Sequence, residues 1–440
     1  MKKIILGIFL IINSLASFSQ DSSLTRKFIN HLSSPEMYGR GYSYNGDSIA
    51  AEYIKNQFVM MGVQPLEYDY HQYYGFNAFS MEGPVSFTIS VRKLSPFKDY
   101  RIAPFSKTMN KSVRIIHVDS KILIYPEKIK NFNQKHGKEL SGSMIYIDIS
   151  KLNPKDNDLK KTYQTELGRL NMKNPFEGSL GVIIGVKELP CWALSNTDFQ
   201  RNYAVIYVSS GIIEKKDKSA EISFDNDFGH HKTQNVCGFV KGIQQPDSFI
   251  VYTAHYDHLG SMGDSVIFFG AHDNASGTAT VLNLANYYQN HPSYYSIAFL
   301  LLSGEETGLR GSSYFAKNPL IPLEKIKLLI NLDMMGGGDA GIMVVNGQHP
   351  LTKPFVDKMI EINNHNQYLD TIKTRPNSAN SDHFPFSEKG VPALFIFAMG
   401  GKTGNYHHWS DTSANCSLAK WEEIFWLIVS STEAIITEQH

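Results

Sequence analysis

The chain has 440 residues, 42% of them hydrophobic, enough for a large core spread over two or three domains. Its 42 Lys and Arg balance its 42 Asp and Glu, and no dense basic run appears. That balance gives no electrostatic reason to expect nucleic acid or an anionic membrane as partner.

Residues 1–19 read as an export signal: Lys2 and Lys3 at the start, an apolar run over 4–12, and the small-x-small site Ser17-Phe18-Ser19 before Gln20. The run is short of the roughly 20 apolar residues that span a bilayer. No later segment is long enough either, so the expected destination is periplasmic or extracellular, without stable membrane insertion. Cys191, Cys237 and Cys416 lack metal-site spacing and are expected as buried structural thiols.

A helix is predicted over 24–32, then a loop carrying Tyr38-Gly39-Arg40-Gly41. In a second helix Ile49, Tyr53, Ile54, Phe58 and Met61 recur near the helical period, and Gly62 stops it. Between 81 and 230 the strand-like runs 85–91, 144–149, 180–186 and 204–208 alternate with polar, lysine-rich loops. No cluster of acids, bases or ligands stands out there, so 81–230 is predicted to be a noncatalytic insertion. The catalytic domain would then comprise 20–80 and 231–440.

From Asn235 onward strand, loop and helix alternate. An apolar strand over 248–254 ends at His255, and a helix over 276–288 follows Asp273. The strand 297–302 runs into Gly304-Glu305-Glu306, and 326–332 runs into Asp333. A further strand is predicted over 391–397, and a last helix from Ser417. This pattern predicts an α/β fold with a largely parallel sheet. In such folds ligands bind beyond the carboxyl ends of the strands, where these charged residues fall.

If strand geometry persists past His255, Asp257 projects to the same side and can orient the imidazole. Asp273 is equally a helix cap or a ligand from its own segment. Glu305 and Glu306, adjacent after an apolar strand, call for neutralisation unless solvated. A metal would do so, with one Glu as ligand and the other as general base toward a metal-bound water. Asp333 repeats the arrangement, and Tyr406-His407-His408 adds imidazoles. Mixed nitrogen and oxygen donors suit zinc, and five ligands exceed what one four-coordinate catalytic ion needs.

Taken in order, HYD, GAHDNASG, SGEE, NLDMMG and YHHWSD resemble the M28 family of metallo-aminopeptidases, over the second half of the chain and its first helices. The resemblance implies a mostly parallel mixed sheet flanked by helices, the phosphorylase/hydrolase-like layered fold of zinc peptidases, with a β-rich inserted domain. It implies two Zn2+ ions bridged by Asp273, one completed by His255 and Asp333 and the other by Glu306 and His407. Glu305 would be the general base, Asp257 the partner of His255, Tyr406 a candidate oxyanion stabiliser, and the Asp273–Asn274 peptide cis. His407 is preferred over His408 because it follows Tyr406 and precedes Asp411 in a YHxxxD pattern. The implied substrate is a peptide or protein N-terminus. One departure is His272, where the family commonly has Asp. The insertion is similar to a protease-associated domain through Gly142-Ser143-Met144-Ile145-Tyr146 and Gly181-Val182-Ile183-Ile184-Gly185. Three rivals stand beside this reading: a single-zinc glutaminyl cyclase, a carboxypeptidase needing a basic pocket, and a noncatalytic binding ectodomain.

Overall fold

Every residue of the Tyr295–Leu302 strand is buried, which requires cover on both faces of its sheet. The side-chain period of two then sorts the strand. Ile297, Phe299 and Leu301 enter one core, and Ala298, Leu300 and Leu302 enter the other. Helices Ser22–Leu32, Gly46–Met61, Ser276–Asn290 and Trp421–Glu438 close the first core through Phe28, Ile54, Leu284 and Phe425. Helices Arg310–Lys317 and His383–Ser387 close the second, where the rings of Phe315 and Phe386 lie 5.7 Å apart.

The computed structural model describes residues 22–150, 161, 165, 168–195, 199–401 and 405–438, so the expected export signal lies outside the described residues. Among them the main sheet has nine strands. Its order is Gln64–Pro65, Asp227–Val240, Tyr295–Leu302, Gln245–His255, Ile326–Leu332, Ala393–Ala398, Ile342–Val345 and Ile372–Arg375, with His71–Ser80 also paired to Asp227–Val240. The four central strands, from Tyr295–Leu302 to Ala393–Ala398, are parallel. Antiparallel neighbours flank them on each side. The fold is therefore α/β, a mixed sheet with a parallel centre between two helical layers. Among the described residues no helix is long and apolar enough to cross a membrane.

Gly62 ends the second helix with φ +76°, its N–H bonded to the carbonyls of Phe58 and Val59. The last helix starts later than the apolar spacing suggests. Ser413–Asn415 forms a short 3-10 turn and Leu418 takes φ +55°, so helical geometry begins only at Trp421.

Among the described residues a second sheet of eight strands lies within 86–224. Its strands Met109–Val118, Ser143–Asp148, Gly181–Val186 and Ala204–Ser209 run parallel. One face packs on helix Pro126–Leu140 through Ile129. The other shares a core with Leu259, Met262 and Phe268. Trp192 stacks on Phe268 at 5.6 Å between ring centroids. The cysteines correct one expectation: Cys237 and Cys416 are buried free thiols, but Cys191 is exposed, in an irregular stretch after Pro190.

Candidate active site

The central parallel strands deliver their charged residues to one edge of the sheet. His255 is the last residue of its strand, Glu305 and Glu306 follow Tyr295–Leu302, and Asp333 follows Ile326–Leu332. His407 sits in the loop after Ala393–Ala398, and Asp273 in the tight turn before helix Ser276–Asn290.

Asp273 is the centre of the group. Its Oδ1 lies 3.4 Å from His255 Nε2, which is in turn 3.3 Å from Asp333 Oδ1. Its Oδ2 lies 3.3 Å from His407 Nε2, which is 3.1 Å from Glu306 Oε2. The two oxygens of one carboxylate thus face two different donor sets. His255, Asp273 and Glu306 each offer a donor atom within 4.8 Å of the others.

Local bonds hold each of these groups. The Asp273–Asn274 peptide is cis. The Asn274 amide oxygen accepts the N–H groups of Gly277 (2.9 Å) and Met334 (3.1 Å), tying the Asp273 turn to the loop after Asp333. Gly277 cannot carry a side chain there, because a Cβ would meet Asn274 Oδ1 and the Leu332 carbonyl at 2.3 Å. Asp333 is aimed by a relay in which Thr253 donates to Asn331, Asn331 to Ser381, and Ser381 to Asp333 Oδ2 at 2.8 Å. Glu306 Oε1 lies 2.8 Å from His258 Nδ1.

Asp257 is arranged differently from the strand-based expectation. The strand stops at His255, and His255 Nδ1 lies 3.1 Å from the backbone carbonyl of Asp257, with the Asp257 carboxylate 3.7 Å away. That carboxylate instead accepts the Tyr42 hydroxyl at 2.9 Å and the Glu305 N–H at 3.2 Å. His272 turns away as well, its Nδ1 accepting the Gly336 N–H at 3.2 Å. Tyr406 is half-exposed and stacks on His407 with ring centroids 3.9 Å apart. His408 bonds Ser410 outside the cluster.

The electrostatics divide the two adjacent glutamates. Burial drives the Glu305 carboxyl well above the usual range; His255 opposes this, and Glu306, Asp382 and Asp333 add to it. Burial and Asp273 act on Glu306 in the same sense, but His407 and His258 hold it down at about 2. Burial disfavours a charged His407, yet Glu306 and Asp273 push it up to about 11. Asp273, Glu305, Glu306 and Asp333 bring four carboxylates around this centre. The nearby buried guanidinium of Arg40 is already occupied, donating to the carbonyls of Leu32, Tyr256, Phe269 and Gly270. Buried anions in excess of cations are costly, and divalent cations remove that cost. The nitrogen and oxygen donors fit zinc.

A cavity of about 260 Å³ opens onto the cluster, lined by His255, Asp273, Glu305, Asp333, Tyr406 and His407 on one side and by Met334, Arg375, Asn380, Phe395 and Phe397 on the other. Sequence reading missed Arg40, His258, Ser381 and Arg375. Among these only His258, directly after Asp257 and three positions after His255, carried a local signal.

The model of Peptidase family M28 matches residues 235–432, the stretch that holds all five candidate ligands. That match covers rather less than half of the chain and makes residues 235–432 similar to peptidase family M28. The chain is 30% identical over 195 residues to aminopeptidase YwaD of Bacillus subtilis, covering 42% of this chain and 40% of that protein. It is 27% identical over 271 residues to leucine aminopeptidase 2 of Trichophyton rubrum, covering 56% and 52%. The matched stretches thus span about half the length of these curated relatives, or less. The likeness of fold extends further than the sequence match. The crystal structure of BSAP, a zinc aminopeptidase from Bacillus subtilis, superposes with TM-score 0.68 at 20% identity, covering 94% of this chain and 95% of that one. An aminopeptidase from Aneurinibacillus sp. strain AM-1 gives 0.60 at 18%, covering 94% and 93%.

Proposed function

We propose that the protein is an exported two-zinc aminopeptidase that hydrolyses the N-terminal peptide bond of peptides or proteins. The observation that carries this reading is the division of Asp273, one oxygen toward His255 and Asp333 and the other toward His407 and Glu306. His255, Asp273 and Asp333 would hold one ion, and His407, Asp273 and Glu306 the second. When bound, the ions would supply Lewis acidity toward the scissile carbonyl and ease deprotonation of water.

The remaining chemistry belongs to side chains. Glu305, facing the cavity, takes the proton of the attacking water and delivers it to the leaving amine. Its affinity for a proton in the buried site suits a group that must hold one transiently, whereas Glu306 remains anionic as a ligand should. The Asp257 carbonyl orients His255, and its carboxylate positions the Glu305 backbone. Tyr406, beside His407, is assigned to the oxyanion of the tetrahedral intermediate. Residues 1–19 would direct export, and 81–230 would be a protease-associated-like insertion bordering the site.

The test is metal counting on the purified protein together with release of amino acids from aminoacyl amides. Two zinc ions per chain and chelator-sensitive cleavage are expected. One ion per chain, with cyclisation of N-terminal glutamine and no cleavage, would replace this reading with a glutaminyl cyclase.

A further inference from the structure

Arg375 ends the edge strand Ile372–Arg375 and reaches the cavity of the candidate active site, opposite the carboxylates. Among the described residues it is the one Lys or Arg lining that cavity. Its guanidinium sits over the ring of Phe397 at 5.7 Å, and Nη2 donates to the Asn380 amide oxygen at 2.7 Å. Its Nε is buried and has no hydrogen-bond partner. Among the described residues no carboxylate pairs with it. A cavity-lining guanidinium steered by an aromatic face and one amide, and paired with no carboxylate, is prepared to meet an anion.

We propose that Arg375 recognises a carboxylate on the substrate, so that the enzyme favours substrates bearing a carboxylate beside the scissile bond. The cavity is small enough that a carboxylate touching Arg375 belongs to a residue next to the bond cut. Two sources present that chemistry: the side chain of an N-terminal Asp or Glu, and the free C-terminus of a very short peptide. The aromatic walls Phe395 and Phe397 accept the methylene stem of either. The inference rests on the aminopeptidase reading of the same site.

The experiment compares matched pairs on the zinc-loaded full chain: glutamyl against glutaminyl 4-nitroanilide, and Leu-Gly against Leu-Gly-amide. At least a tenfold higher kcat/KM is expected for the carboxylate member of one pair. Which pair shows it identifies the source. Arg375→Met should collapse that ratio, and Arg375→Lys should restore part of it. Equal rates within both pairs, or a ratio that survives Arg375→Met, would overturn the proposal. Calorimetric binding of the same four compounds to Glu305→Gln protein, with and without Arg375→Met, separates the two readings. Carboxylate-selective binding that needs Arg375, without any hydrolysis by the parent protein, would sink the aminopeptidase reading and keep this one. Non-selective binding alongside ordinary hydrolysis would do the reverse.

Discussion

Asp411 accepts the backbone N–H of Asp273 at 3.0 Å, across 138 residues of sequence. It also accepts the N–H of His272 at 2.9 Å, so one buried carboxylate satisfies two consecutive donors of the turn that presents Asp273. Asp411→Ala leaves both unpaired, at about 1–3 kcal/mol each. Zinc affinity should fall about 10- to 100-fold, because the ligand loses the bonds that orient it. Chelator competition checks this. A lower unfolding temperature with unchanged zinc affinity would show that Asp411 serves only the fold.

Glu305→Gln should retain the metal content and fold of the parent while turnover falls about 10²- to 10⁴-fold. Glu306→Gln should instead lose metal, because it removes an anionic donor that His258 and His407 hold in place. Metal analysis and single-turnover rates on the two variants distinguish the roles. Equal metal loss in both would refute the division between neighbours.

Arg40→Lys is expected to be severely destabilising although the charge is kept. The guanidinium donates to four carbonyls drawn from three separate segments, and a single ammonium cannot span them. With several buried carbonyls left unpaired, the loss should be about 3 kcal/mol or more. Urea unfolding measures it, and a midpoint unchanged from the parent would contradict the clamp.

His383 sets a pH dependence of stability. Burial is the main cause that brings its imidazole from the ordinary 6.5 down to about 4, with Arg375 adding to the shift and a backbone bond from Ser381 opposing it. The folded chain therefore keeps His383 uncharged where the unfolded chain already takes a proton. Its contribution is fully present above about pH 6.5 and is lost as pH falls toward 4, at most about 3 kcal/mol. His383→Gln should flatten the fall of unfolding temperature over that interval. An unchanged slope would exclude this histidine as the source.

The central strands were legible because they are buried on both faces, so their apolar runs stand out and end where charge begins. The 326–332 run matches its strand residue for residue, and His255, Glu305 and Asp333 mark three strand ends. The supports of the site were not legible for the opposite reason. Arg40 bonds residues more than 200 positions away, and Ser381 meets Asp333 only after two further strands have been placed. A hydrogen bond between distant loops leaves no period in the sequence. Asp257 shows a subtler limit: its proximity to His255 was readable, but whether carbonyl or carboxylate meets the imidazole depends on where the strand stops.

The backbone N–H of Trp192 donates to the carbonyl of His407 at 3.3 Å, while its indole lies flat on Phe268. A segment outside the main sheet is thereby latched to the imidazole loop on one side and to the Asp273 loop's approach on the other. Such a segment is poor material for cut-and-paste engineering. A chimera that trades residues 81–230 for those of a relative would also trade the spacer that sets how far the His407 loop stands from its neighbours. Insertions and deletions near Trp192 should accordingly be tolerated less than those at the far end of the same sheet.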